Sequence, residues 1–339
     1  MDDRDGIGTI EFTRQNNLIN QIVLVDAVGR SGKGMMAHVL SSFERIEKQH
    51  NLDIFEWIGI VWRTGRITDD AAATLLRFEG DTRLYNALLS RCINFRFSDD
   101  TGVFKNANPL RYLKRLFAPG GDGPVVKCVE EKIVMQSCIH DGLRNAEIFF
   151  KAFEDRLKFI YIVRDPVSIV YEWQESGFGR RIGNDPRSFQ LTVRCGEGVV
   201  PYTAIGWEQE YLSISPDDRV IALINYHFKL NLDSYLSLDE GKKDKVLLVS
   251  FEEFVTNPMP QCQRIAQFLG TKPTFRTKKI LKKENCPRIL KEEDRKQMIM
   301  DIEKRTTPKY IKVFHELLER FESRYWQGQN QSSLQQENK

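Results

Sequence analysis

The chain contains no run of about 18 apolar residues, the length that a membrane-spanning helix needs, so no transmembrane segment is expected. Its six cysteines (92, 128, 138, 195, 262 and 286) are scattered and form no CxxC pair. That spacing argues against zinc or a disulfide framework and fits a reducing compartment, with no metal site expected. The first residues, MDDRDGIGTIEF, are acidic and lack the apolar core of a signal peptide. The expectation is therefore a cytoplasmic protein. Neither sign of charge is in large excess: 50 Lys and Arg face 47 Asp and Glu, a formal net charge of +3. No nucleic-acid partner is expected from so balanced a chain. No internal repeat is present, and 339 residues suffice for a large buried core. Residues 1–326 are read as one α/β domain, and 327–339, QGQNQSSLQQENK, as a polar, disordered tail.

The chain is organised around residues 22–43, IVLVDAVGRSGKGMMAHVLSSF. Ile22 to Val25 form an unbroken aliphatic run, as in a strand buried on both faces. Gly29, Ser31, Gly32 and Gly34 then allow a tight loop. Met36, Val39, Leu40, Phe43 and Ile46 follow at helical spacing. Strand, glycine loop and helix N-terminus is a phosphate-binding geometry, because free N–H groups and the helix dipole favour an anion. Arg30 and Lys33 add cations at the same mouth. A nucleotide-hydrolysing loop reads G-x-x-x-x-G-K-[ST]. Here Ala27 takes the place of its first Gly and Gly34 that of its Ser or Thr, so no hydroxyl stands where Mg²⁺ would be held. The loop suits a phosphate-like group without a metal, while an ordinary βα turn with two solvated cations remains the plain alternative.

Further along, Leu52–Trp62 reads as a strand, or strand plus loop, enclosing one carboxylate, Glu56. A lone buried carboxylate is costly, so Glu56 is either salt-bridged, to Arg63 or Arg66, or catalytic. Helices are expected over 68–92, 109–117, 141–156 and 217–237, with others opened by Pro258 and Pro308 and the former stopped by Gly270. Val125–Val129 reads as a strand with Lys127 at its centre, and Phe159–Val163 and Val246–Ser250 as two apolar strands. Arg164 stands at the end of the second of these three, with Asp165 and Pro166 opening a helix and Ser168 at its mouth. Ligands of open α/β sheets bind at the carboxyl ends of strands, so Arg164 and the glycine loop are expected to share a crevice. Residues 174–205 read as a long basic loop carrying Arg180, Arg181, Arg187 and Arg194.

Three of these stretches together resemble the sulfotransferase superfamily, closest to its carbohydrate branch. VDAVGRSGKGMMAHVL is similar to the 5′-phosphosulfate loop, KFIYIVRDPVSIVYEW to the 3′-phosphate motif, and VLLVSFEEFVTNPMPQCQRIAQFLG to the strand, acidic turn and helix that follow. The resemblance covers roughly residues 20–270. It implies a P-loop-like three-layer α/β fold with a central parallel β-sheet flanked by helices. It also implies 3′-phosphoadenosine 5′-phosphosulfate (PAPS) as co-substrate, with no metal. On this likeness Gly29, Arg30, Ser31, Gly32, Lys33, Gly34, Arg164 and Ser168 hold the donor. Arg30 stabilises the bridging oxygen and Arg164 clamps the 3′-phosphate.

The sequence also departs from the family. Lys33-Gly34 stands where Thr or Ser is common, and Glu172 stands where a Ser usually contacts the 3′-phosphate. The Lys-x-His that supplies the base in the small-molecule branch reads Lys127-Cys128-Val129 here, whereas Phe55-Glu56-Trp57 is similar to the glutamate motif of the carbohydrate branch. The resemblance thus implies Glu56 as general base, Lys127 orienting the sulfuryl group, and His140 as the fallback base. The expected reaction is sulfuryl transfer to a hydroxyl, on a sugar or glycoconjugate; the basic 180–194 segment is compatible with an acidic saccharide. An ATP-dependent P-loop kinase and a catalytically silent nucleotide-binding protein of the same fold are the alternatives.

Overall fold

Ile22, Val23, Leu24 and Val25 have no exposed surface, because their strand lies in the middle of a sheet with a helical layer on each side. The structure, a computed structural model, describes residues 10–336 except 51, 119–121 and 197, with the backbone alone at 124 and 324–336. The strands are β1 (Gln21–Asp26), β2 (Val134–Ile139), β3 (Leu157–Val163), β4 (Thr192–Cys195), β5 (Gly198–Pro201) and β6 (Val246–Ser250). Four of them form a parallel sheet in the order β2-β1-β3-β6, and β4 and β5 form a separate antiparallel pair.

The helices in chain order are α1 (Lys33–Leu40), α2 (Asp53–Arg63), α3 (Asp69–Leu88), α4 (Pro109–Leu116), α5 (Gly123–Glu130), α6 (Ala146–Phe153), α7 (Pro166–Glu175) and α8 (Phe178–Arg181). They continue as α9 (Glu208–Ser213), α10 (Pro216–Ser237), α11 (Glu240–Lys243), α12 (Phe251–Thr256), α13 (Pro258–Leu269), α14 (Thr277–Lys283), α15 (Glu292–Arg305) and α16 (Pro308–Gln336). Side chains alternate across each strand. Ile22 and Leu24 of β1, with Phe159 and Tyr161 of β3, enter a core with α2, α3, α6, α7, α10 and α16. Val23 and Val25, with Ile160 and Ile162, enter a second core with α1, α12, α13 and α14. The architecture is the expected α/β fold, a central parallel sheet flanked by helices.

Two expected strands are helices. Leu52–Trp62 is mostly α2: a near-continuous apolar run fits either a buried strand or a buried helix, and eleven residues opened by Asp53 favour the helix. Val125–Val129 lies in α5, with Pro124 in its first turn, Cys128 buried, and Val126 and Val129 exposed. The sheet strand comes later, at β2, whose centre is polar. Gln136 and Ser137 are fully buried there, with Gln136 Nε2 donating to the carbonyls of Ala37 and Glu47 and Ser137 Oγ to that of His50. Residues 174–205, expected as one long loop, contain α8 and the β4–β5 hairpin. The last helix runs to Gln336, over most of the stretch expected to be a disordered tail; residues 337–339 of that stretch lie outside the described residues.

Candidate active site

Strand order reverses about β1, whose neighbours β2 and β3 leave it on opposite sides, and this opens a crevice at the carboxyl ends of the strands. The glycine loop turns there. Arg30 and Gly32 have φ of 70° and 87°, and Gly32 caps α1 in the left-handed region. A side chain at Gly32 would put its Cβ 2.7 Å from the Phe251 ring, and one at Gly29 would come within 3.1 Å of Trp173. At Gly34 nothing lies within 4 Å of that position, so space does not demand glycine there. Ser31 is buried and its Oγ has no partner. An orphaned hydroxyl at a helix N-terminus suits an oxygen of a phosphate or sulfate group.

Helix α7 fastens this loop. Trp173 Nε1 donates to the Gly29 carbonyl at 3.0 Å, and Arg164 Nη1 donates to the carbonyl of Arg30. The expected crevice shared by Arg164 and the loop is therefore present. Arg164 also lies over the Phe251 ring, 4.5 Å from its centre, and pairs through Nη2 with Glu172 at 2.8 Å. Asp165 caps α7 by accepting from the Val167 N–H at 3.0 Å, while its own N–H donates to Glu252 at 2.9 Å. Burial pushes the Glu252 carboxyl above its ordinary value.

A cavity of about 610 Å³ opens at the ends of β3 and β6. Arg164, Ser168, Phe251 and Glu252 line one side, and Arg288, Lys291 and Arg295 the other. The main-chain N–H of Arg288 donates to the Val255 carbonyl at 2.6 Å, which ties its segment to α12. Its Nε is buried without a partner, and its guanidinium lies 5.7 Å from the Phe251 ring centre. Sequence reasoning missed Phe251 and Arg288. Phe251 follows the VLLVS strand directly and was findable from that position. Arg288 belongs to no periodic pattern and was not.

Ala27, Val28 and Gly29 form one wall of a smaller pocket of about 90 Å³. Glu56 and His140 lie in it, with Trp57, Trp173, Phe189 and Tyr202 around them. Glu56 pairs with neither Arg63 nor Arg66: its Oε1 accepts from the main-chain N–H of His140 at 2.7 Å and from Nδ1 of the same residue at 2.8 Å. With the carboxylate as acceptor, Nδ1 carries the proton and Nε2 keeps its lone pair. Beside them Asp141 bonds to His227 at 2.9 Å. Burial works against the charged form of Asp141, but the charge and hydrogen bond of His227 outweigh it and hold the carboxyl down to about 2.

Three expected site residues stand differently. Lys33 does not open onto the mouth: it is buried, and its Nζ donates to the Ala27 carbonyl at 2.9 Å and the Ile139 carbonyl at 2.7 Å. Burial lowers its pKa, with Asp26 opposing, and burial raises Asp26 to about 6. Lys33 thus braces β1 against β2 from beneath the loop. Arg30 turns its guanidinium to Ser176 Oγ at 3.5 Å and to the Phe178 ring. Lys127 is exposed on α5 and pairs with Glu131 at 3.6 Å. It lines neither the larger cavity nor the Glu56 pocket. Its expected place in the site rested on reading α5 as a sheet strand. Among the described residues no cluster of three or more His, Cys, Asp or Glu could hold a metal, and no helix is long and apolar enough to cross a membrane.

Residues 145–298 match the family described as Sulfotransferase domain. The matched segment carries Arg164, Ser168, Phe251, Glu252 and Arg288, which line the larger cavity, so the resemblance to the sulfotransferase superfamily holds there. The match supports sulfuryl transfer as the class of chemistry. Among solved structures, the sulfotransferase domain of the Synechococcus PCC 7002 olefin synthase is similar at 13% identity over 79% of this chain and 80% of its own, with a TM-score of 0.43. The sulfotransferase domain from the curacin biosynthetic pathway shares 12% over 84% of this chain and 98% of its own, at 0.41. A sulfotransferase from Alicyclobacillus acidocaldarius shares 14% over 91% and 97%, at 0.36. No curated protein matches the chain.

Proposed function

We propose that residues 1–326 form one sulfotransferase domain that moves a sulfuryl group from PAPS to an acceptor hydroxyl on a sugar or glycoconjugate. The observation that carries this reading is that the glycine loop walls the Glu56–His140 pocket and touches Arg164 and Phe251, which line the larger cavity. A donor whose nucleotide occupies the larger cavity and whose phosphosulfate lies on the loop directs its sulfur toward Glu56 and His140.

In this reading the N–H groups at the start of α1 and the free hydroxyl of Ser31 hold the phosphosulfate oxygens. Arg164, Ser168 and Arg288 face the ribose phosphate. The Glu56–His140 pair takes the proton of the acceptor hydroxyl, through Nε2 of His140 or the second oxygen of Glu56. The acceptor oxygen forms a bond to sulfur as the bond from sulfur to the bridging phosphate oxygen breaks, and 3′-phosphoadenosine 5′-phosphate leaves. Arg30 is placed to swing from Ser176 toward that bridging oxygen. The sugar preference rests on the Phe55-Glu56-Trp57 motif, and the aromatic wall of the pocket accommodates a ring face.

A thermal-shift titration with 3′-phosphoadenosine 5′-phosphate, beside ADP and ATP·Mg²⁺, tests the donor. A ligand at 100 times its Kd stabilises by about 2.7 kcal/mol. The expected result is a shift with the 3′-phosphorylated nucleotide in the presence of EDTA. A shift with ATP·Mg²⁺ alone would replace this reading with a kinase.

A further inference from the structure

We infer that Glu172 is a built-in competitor for the anion that Arg164 receives, and that it sets how strongly the site distinguishes a ribose 3′-phosphate from a 3′-hydroxyl. The inference rests on the donor reading above and goes beyond it. The Arg164 guanidinium is already held on three sides. Nη1 goes to the carbonyl of Arg30, Nη2 to Glu172 at 2.8 Å, one face lies on Phe251, and Nε is buried without a partner. The Arg164 side chain is only 15% exposed, whereas that of Glu172 is 38% exposed, so Glu172 is the partner with room to leave.

Of the neighbouring guanidiniums, one is also taken by carboxylates. Arg295 is tied to Asp165 at 2.7 Å and lies 3.6 Å from Glu322. Of the guanidiniums lining the cavity, Arg288 alone has no carboxylate partner among the described residues. A phosphate entering here must therefore take Arg164 from a carboxylate that already neutralises it, and a like-charged carboxylate left nearby opposes it. A 3′-hydroxyl carries no such charge and meets no such opposition. The other two anchors of Arg164, the Arg30 carbonyl and the Phe251 ring, do not involve Glu172. Removing the carboxylate therefore leaves the guanidinium in place and free to bind.

The experiment measures dissociation constants by calorimetry for 3′-phosphoadenosine 5′-phosphate and for adenosine 5′-monophosphate, on the wild-type chain, Glu172→Gln and Glu172→Ser. The expected result is about tenfold tighter binding of the bisphosphate to both variants, with the monophosphate changed less than about twofold. A gain that falls equally on both nucleotides, or a loss for the bisphosphate, overturns the inference and makes Glu172 a residue that merely positions Arg164. Bisphosphate binding that the substitutions leave unchanged overturns it as well and leaves the donor reading intact. Failure of 3′-phosphoadenosine 5′-phosphate to bind any of the three proteins overturns the donor reading, and the inference with it.

Discussion

Glu56 Oε1 accepts two hydrogen bonds from one residue, the main-chain N–H of His140 at 2.7 Å and its Nδ1 at 2.8 Å. The two side chains reach this contact from different layers, Glu56 from the first turn of α2 and His140 from the residue after β2. A carboxylate that fixes the tautomer and orientation of an imidazole works with it as a unit. Glu56→Gln and His140→Ala are each expected to lower kcat by about 10²–10⁴-fold while the KM for the donor stays nearly constant. The double variant should be no slower than the slower single variant. Losses that multiply instead would assign the two residues separate roles, and a Glu56→Gln enzyme of undiminished rate would remove Glu56 from the reaction.

Ser31 separates binding from folding. Its hydroxyl is buried and bonds to nothing among the described residues, so Ser31→Ala should change the unfolding free energy by no more than about 0.5 kcal/mol, or raise it. Donor affinity should fall by about tenfold to a hundredfold, the value of one hydrogen bond to a charged group. Denaturant titration and nucleotide calorimetry on the same preparation decide this; a protein destabilised with unchanged affinity would contradict it.

Gly32 should tolerate no side chain. Gly32→Ala meets a left-handed backbone at φ 87° and the Phe251 ring at 2.7 Å. The backbone term alone costs about 1–2 kcal/mol. Adding Phe251→Leu should relieve the contact but not the backbone cost, so the melting temperature should recover only in part. Gly34→Ala, with open space around it, is the control and should keep donor binding.

Acid sensitivity should centre on Glu47. Its carboxylate is fully buried; burial favours the neutral form, but Arg115 and Arg111 outweigh it and hold the pKa down from 4.5 to about 2. A depressed carboxyl contributes stability above its unfolded value and loses it as pH falls, here between pH 4.5 and about 2. Glu47→Gln should flatten that limb of the stability curve. It should also cost about 3 kcal/mol or more at neutral pH, because it leaves Arg115 without its charge partner. Asp26 acts with the opposite sign. Raised from 3.8 to about 6, it favours the folded state at low pH and loses that contribution as pH rises through 6.

Lys127→Ala should leave kcat and KM unchanged in a sulfuryl-transfer assay, since its ammonium faces Glu131 on an exposed helix. A loss beyond about threefold would show that α5 moves to the site during turnover.

The legible parts of the chain were those where one local signal had one meaning. β1, β3 and β6 each carry an unbroken apolar run, and Gly270 ends α13 in the left-handed conformation its position suggested. Two things hid the rest. The α2 run is apolar enough to satisfy either period, and only the layer it packs against decides between them. The true edge strand, β2, conceals itself because Gln136 and Ser137 are buried polar residues whose partners come from 85 or more residues away in sequence. The pairing of Glu56 with His140 was hidden for the same reason, since each side chain was found separately but their contact depends on β2. Glu172 was visible as an oddity of sequence; that it already holds Arg164 required the fold.

Trp57 Nε1 donates to the Phe189 carbonyl at 3.0 Å, and both residues line the pocket around Glu56 and His140. At about 90 Å³ the pocket falls below the roughly 300 Å³ at which small-molecule sites begin. On the reading proposed above, an acceptor reaches Glu56 and His140 once the strap of chain leading into the β4–β5 hairpin swings aside, a movement that parts Trp57 from the Phe189 carbonyl. The strap covers the two partners unequally: the Glu56 side chain is 19% exposed, whereas the His140 imidazole, at 54%, stays open to water.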